Sequence, residues 1–192
     1  MRHIKIIKSI SLIISLFLIT SCSNNSAMKP EDFKNKEPRL IIEEYLSGNV
    51  KAWGVLQNRS GKVTRQFSAD LNGTWDGKQL ILKEKFNWDD GEVQDREWTI
   101  NKIDEHNYEG TAGDVVGKAI GYSYGPAFKF EYVLLVPVKG KELKITFDDW
   151  IFKQDDRVAI NRATMTKFGF KVAELTVAVS YTHLTLPTKQ MV

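Results

Sequence analysis

The chain has 192 residues, 42% of them hydrophobic, and a formal charge of +3 from 27 basic and 24 acidic side chains. Without Arg2, Lys5 and Lys8 at the start, 24 basic residues face 24 acids. No basic stripe interleaved with aromatic residues occurs, which excludes the electrostatic footprint of a nucleic-acid binder, and the length suits one domain with a real core.

The opening stretch, MRHIKIIKSISLIISLFLITSC, has a basic start, an apolar run from Ile10 to Ile19, and then Thr20-Ser21-Cys22. This is the pattern of a secretory signal over residues 1–21; the run is shorter than the roughly 20 apolar residues a stable span needs. A cysteine directly after small residues resembles the bacterial lipobox, so Cys22 is expected to become the lipidated first residue, tying the protein to a membrane. A plain signal peptide or an uncleaved anchor is the alternative. Ser23, where an aspartate would resemble an inner-membrane retention signal, points to the outer membrane and its periplasmic face. Cys22 is the only cysteine, so its lipidation leaves no disulfide.

Residues 22–37 are polar and read as a structureless tether. A short helix is expected from Pro38 to Leu46, with Pro38 at a first helical position, an apolar stripe of Leu40, Ile41, Tyr45 and Leu46, and Gly48 at the C-terminal cap. From Val50 the period changes to two. Strands are expected over Lys51 to Asn58, Val63 to Trp75, Gln79 to Trp88, Val93 to Ile103, Tyr108 to Asp114, Phe128 to Val138, Glu142 to Lys153, Val158 to Lys167 and from Lys171 onward. Turn chemistry joins them in RSGK, WDGK, DDGE, DEHN, VKGK and QDDR. No helical segment of any length separates the strands, which excludes a parallel α/β sheet. The expectation is an all-β fold, an antiparallel up-and-down barrel over residues 38–179 with a short N-terminal helix; a two-sheet sandwich is the runner-up.

Alternation sorts the faces. In QLILKEKFNW, Leu80, Leu82, Glu84, Phe86 and Trp88 share one face and Lys83, Lys85 and Asn87 the other. A three-residue loop Asp89-Asp90-Gly91, with Gly91 left-handed, then pairs Phe86 with Gln94, Glu84 with Arg96, and Leu82 with Trp98. An inward acid lies opposite an inward arginine, as a cross-strand ion pair or as the polar floor of a cavity. Adjacent strand residues Asp148 and Asp149 face opposite ways and form no carboxylate dyad, and one of Asn161 and Arg162 must look inward. Asp114, Asp149, Trp150, Asn161, Arg162 and Lys167 are polar or bulky groups that either form a hydrogen-bonded belt between strands or touch a ligand. Trp53, Trp75, Trp88, Trp98 and Trp150 read as core.

GDVVGKAIGYSYG, from Gly113 to Gly125, repeats glycine at every fourth position. A Walker-type phosphate loop needs four residues between its first glycine and Gly-Lys, followed by Ser or Thr; here there are three, and Ala119 follows Lys118. A dinucleotide fingerprint needs a helix that is not readable here, and membrane-helix pairing needs an apolar stretch that Asp114 and Lys118 interrupt. The remaining reading is a glycine-relaxed crossing at a barrel corner, or a lid over its mouth.

Taken in order, KAWGVLQNRSG, REWTI, YEGTAGDVVGKAIGYSYGPAFKFEY, ITFDDWIF and INRATMTKFGFKV resemble the lipoprotein family known as domain of unknown function 3833, from the lipobox to about Val177. The resemblance implies a lipocalin-like barrel anchored by Cys22 and no established activity. Family members look as if they are encoded beside fatty-acid-modifying enzymes, which points to lipid. The chain departs from the family at Ala127, where GPAF stands in place of an Asn-Ala-Phe stretch. Residues 180–192, SYTHLTLPTKQMV, break the alternation, resemble translated adapter sequence and read as a non-native tail.

Histidines are few: His3 lies in the signal, His183 in the tail and His106 in the DEHN turn, where a solvated role is expected. A conventional N/S zinc site and a nucleophile–base pair both lack material, so neither a metal nor a cofactor is expected. The leading expectation is a non-enzymatic module holding an acyl chain or other apolar small molecule, with Glu84, Arg96, Trp98, Asp114, Trp150 and Asn161 as candidate contacts. The alternatives are a solid barrel that docks a protein partner at the membrane and, more weakly, a lipid-modifying enzyme.

Overall fold

The structure, a computed structural model, describes residues 27–138 and 140–181. The expected signal, Cys22 and residues 182–192 lie outside the described residues. Ten antiparallel strands form one closed barrel: β1 (Gly48–Asn58), β2 (Val63–Trp75), β3 (Gln79–Trp88), β4 (Val93–Lys102), β5 (Asn107–Thr111), β6 (Ala119–Tyr124), β7 (Ala127–Val138), β8 (Lys141–Lys153), β9 (Val158–Lys167) and β10 (Phe170–Tyr181). Each strand pairs with its sequence neighbour, and β10 closes the ring against β1 from Val50↔Tyr181 to Asn58↔Ala173. The up-and-down barrel is therefore observed, and the sandwich is not.

Three expectations change. The stretch read as a relaxed crossing contains β6, paired with β5 and β7. Gly121 sits in it because a Cβ there would come within 2.9 Å of the Phe128 ring. Asp114 leaves the expected strand, since β5 ends at Thr111 and residues 112–118 form a loop latched to β7 through Val116 N–H to Val133 O (2.8 Å) and Leu135 N–H to Asp114 O (2.9 Å). The last strand continues past Val177 to Tyr181, so Ser180 and Tyr181 belong to the barrel.

The expected helix from Pro38 to Leu46 is reduced to a single turn, Ile42–Tyr45, because the preceding backbone is committed elsewhere: the Leu40 N–H donates to Gly125 O at 2.8 Å. This segment plugs one end of the barrel. Leu40, Ile42, Tyr45 and Leu46 are all buried, and the Tyr45 hydroxyl donates to Val179 O at 3.0 Å. Glu43 is buried with them, where its carboxylate accepts hydrogen bonds from the Tyr108 hydroxyl (2.9 Å) and the Lys102 ammonium. Burial opposes its charge, but those partners hold its carboxyl below the ordinary carboxylate value. The expected tether is also partly ordered. Pro30–Phe33 form a 3-10 turn, and Phe33 packs outside the barrel against Trp150 and Phe152, with ring centres 6.0 and 5.5 Å away.

At Gly125, which joins β6 to β7, φ is +51° and a Cβ would lie 2.2 Å from Phe33 O. Gly113, in the same glycine series, has open space around it. We expect Gly125→Ala to lower stability by about 1–3 kcal/mol and Gly113→Ala to change it by less than about 0.5 kcal/mol, read from urea-unfolding midpoints.

Candidate functional site

Inward side chains leave two adjoining spaces in the barrel. A deep chamber of about 130 Å³ lies above the plug and is lined by Leu82, Trp98, Phe130, Glu84, Asp149 and Asn161 among others. A vestibule of about 340 Å³, lined by Trp88, Val136, Phe147, Met165 and Asp114 among others, lies toward the opposite end. Phe67, Phe86, Arg96, Tyr132 and Leu175 line both, so they form the neck between them.

The β3–β4 register follows the sequence reading: Leu82↔Trp98, Glu84↔Arg96 and Phe86↔Gln94, with Gly91 left-handed at φ +88°. The expected ion pair is looser than a second one beside it. Arg96 Nη1 lies 3.8 Å from Glu84, whereas its Nε and Nη2 donate to Asp114 at 2.7 to 3.2 Å. The loop before β6 thus brings a carboxylate onto the arginine from the vestibule side. Across the chamber, Asp149 accepts from the Tyr132 hydroxyl at 2.9 Å and from the Asn161 amide. Asn161 also donates to Trp150 O at 3.0 Å.

Of the six candidate contacts, Glu84, Arg96, Trp98 and Asn161 meet in the chamber, and Asp114 caps Arg96 from the vestibule. Trp150 does not join them. It points outward, stacks on Phe152 at 5.7 Å and lies under Phe33 and the Lys129 ammonium. Asp149 takes the inward position and Asp148 the outward one, where it is 3.5 Å from Lys129. Arg162 also faces out and pairs with Glu174 at 3.0 Å. Trp53, read as core, is 49% exposed. His106 sits in the expected turn and is half-buried there: its ring stacks on Tyr124 at 4.1 Å and its Nδ1 is 2.8 Å from Ser123 O.

A family model for proteins of unknown function, DUF3833, matches residues 16–181. The chain belongs to the DUF3833 family. Comparison with curated proteins found no match. Among solved structures, the S-type phycobiliprotein lyase CPES from Guillardia theta is similar at 10% identity and a TM-score of 0.54, covering 72% of this chain and 89% of the lyase. A protein of unknown function from the DUF3598 family of Nostoc punctiforme is similar at 15% identity and a TM-score of 0.56, over 76% of this chain and 50% of that one. At such identities the likeness concerns the fold.

In this DUF3833 barrel, burial dominates the interior acids. It pushes the Glu84 carboxyl up to about 7, against the attraction of Arg96, with Asp149 and Asp114 adding repulsion. Burial also raises Asp149, opposed by its hydrogen bonds from Asn161 and Tyr132, and holds the Tyr132 phenol well above its ordinary value. Sequence reasoning noticed Asp149 without choosing it and did not single out Tyr132; the alternation Ile145, Phe147, Asp149, Ile151 carried the signal for the former. Among the described residues, no group of three or more His, Cys, Asp or Glu side chains is placed to hold a metal ion.

Glu84 binds its proton more tightly folded than unfolded, so its contribution to stability is full below about pH 4.5 and is lost as pH rises toward about 7. The DUF3833 barrel is therefore expected to lose up to ~3 kcal/mol across that window through this group. Glu84→Gln should flatten the slope and leave the part due to Asp149, whose carboxyl is also raised, as measured by urea titrations at stepped pH.

Proposed function

We propose that the protein is a binding or carrier module for a largely apolar small molecule with one polar group. The observation that carries this reading is the pair of interior spaces that meet at a shared neck, with aromatic and aliphatic side chains around the polar network of Glu84, Arg96 and Asp149. An apolar body against Phe67, Phe86, Phe130 and Leu175 loses its water, and the polar group exchanges hydrogen bonds with Glu84, Arg96 and Asp149. Space of this kind favours a carrier over a solid scaffold. A non-catalytic role fits the pairing of the acids, since Asp114 is held by Arg96 and Asp149 by Tyr132 and Asn161.

On this reading the module is an envelope lipoprotein held at the periplasmic face of the outer membrane by acylated Cys22. Support comes from the basic start, the run from Ile10 to Ile19 and the small residues before Cys22. An acyl chain is the ligand class that best matches such a location and such walls. The similar fold of the S-type phycobiliprotein lyase supports a binding barrel by analogy of fold alone.

Native mass spectrometry of protein taken directly from cells should release a bound small molecule; repeated recovery of the protein with none would count against a carrier. Leu175 lies at the neck, so Leu175→Trp should weaken uptake of the neutral apolar dye phenylnaphthylamine by about tenfold or more while thermal unfolding stays close to the parent. Unchanged dye affinity would place the dye outside the barrel.

A further inference from the structure

The vestibule end carries an apolar tip that folding does not explain. β9 and β10 are joined by the two-residue loop Phe168-Gly169, with Lys167 paired to Phe170 and both loop residues at positive φ, +52° and +80°. Asn, Asp or Gly is the favoured first residue of such a turn, and a bulky side chain there is conformationally unfavourable. Phe168 nevertheless occupies it and is 88% exposed, and Phe170 beside it is 77% exposed. Neither ring stabilises the core. Val138, at the tip of the neighbouring β7–β8 hairpin, is exposed as well.

The charges around this tip are mostly positive. Arg59 and Lys62 in the β1–β2 loop, Lys141 and Lys144 on β8, and Lys171 on β10 are exposed, and Lys167 lies with its ammonium 5.3 Å from the Phe168 ring centre. Lys171 pairs with Glu174; the other five form no ion pair among the described residues, and Glu142 is the acid interspersed with them. On the far side of the mouth the β3–β4 loop is acidic, but Arg65 holds Asp90 and Glu92 at 2.7 and 2.8 Å. Exposed aromatic rings ringed by cations match the chemistry of an anionic lipid interface, where rings enter the headgroup boundary and lysines meet phosphates.

We propose that the Phe168–Phe170 tip is a membrane-docking wedge that enters the interface of an anionic bilayer, with Arg59, Lys62, Lys141, Lys144, Lys167 and Lys171 against the headgroups. The barrel mouth then faces the acyl region. This contact is separate from any lipid on Cys22, and it does not require the ligand reading above.

The test uses the full chain carrying Phe168→Trp, a substitution in an exposed turn, with the unmodified chain as the fluorescence background. Binding through the N-terminal segment would leave the tip in water, so the readout is the depth of the added indole. On phosphatidylcholine–phosphatidylglycerol vesicles with brominated upper acyl chains, its emission should shift to the blue and be quenched. Adding Lys141→Glu and Lys144→Glu should reduce quenching severalfold at limiting lipid, since each lysine near an anionic surface contributes about fivefold in affinity. Solvent-like, unquenched emission overturns the wedge, whether the protein is on the vesicles or free of them. Equal quenching on pure phosphatidylcholine overturns the role given to the basic side chains.

Discussion

Closing ten strands into a ring commits every second residue to an interior where charge is poorly solvated, and two carboxylates there share one guanidinium. Arg96 faces Glu84 across the β3–β4 ladder and Asp114 from the loop before β6. Its own burial is unfavourable, but Glu84 and Asp114 hold its charge firmly. Removing it would leave buried acids without a counter-charge, a loss that typically costs more than the pair itself contributes. The same side chain lies at the neck, so the electrostatic balance and the division of the interior into two spaces depend on one residue. Glu84 lies farther from Arg96 than Asp114 does, and burial raises its carboxyl to about 7.

The two ends of the barrel are built on opposite principles. At the plugged end, Leu40, Ile42, Tyr45 and Leu46 replace water, and Glu43 is satisfied by Lys102 and Tyr108. Ser123 adds a hydrogen bond from its hydroxyl to Leu40 O at 3.1 Å. At the other end the vestibule mixes apolar side chains such as Trp88, Val136, Phe147 and Met165 with Arg65, Glu92 and Asp114, and the rim shows aromatic rings to solvent. The polar network of Glu84, Asp149 and Asn161 lies on the far side of the neck from that rim.

How much of this the sequence revealed depends on local geometry. The β3–β4 register was legible because a short loop with a left-handed glycine permits one pairing, and period two then carries the face assignment along both strands. β6 was not legible, because its glycine lowers strand propensity and the ring contact that requires it, Phe128, comes from the next strand. On β8 both faces are apolar: Ile145, Phe147 and Ile151 turn inward, while Trp150 and Phe152 lie outside beneath Phe33. Alternation could not choose between Asp149 and Trp150 until that outer cover was known. The plug escaped for a similar reason, since a backbone hydrogen bond to Gly125, far along the chain, fixes Leu40 outside any helix.

The seam of the ring joins the first strand to the last, so Val50 meets Tyr181 and Asn58 meets Ala173 across nearly the whole domain. Without the β1–β10 pairing the sheet would be an open one with two raw edges. Loop closure over such a separation is slow, and unpaired edges invite association with other chains in the interval. The chamber is consequently walled off only where the two ends of the domain meet, so its enclosure depends on the most distant pairing in the fold.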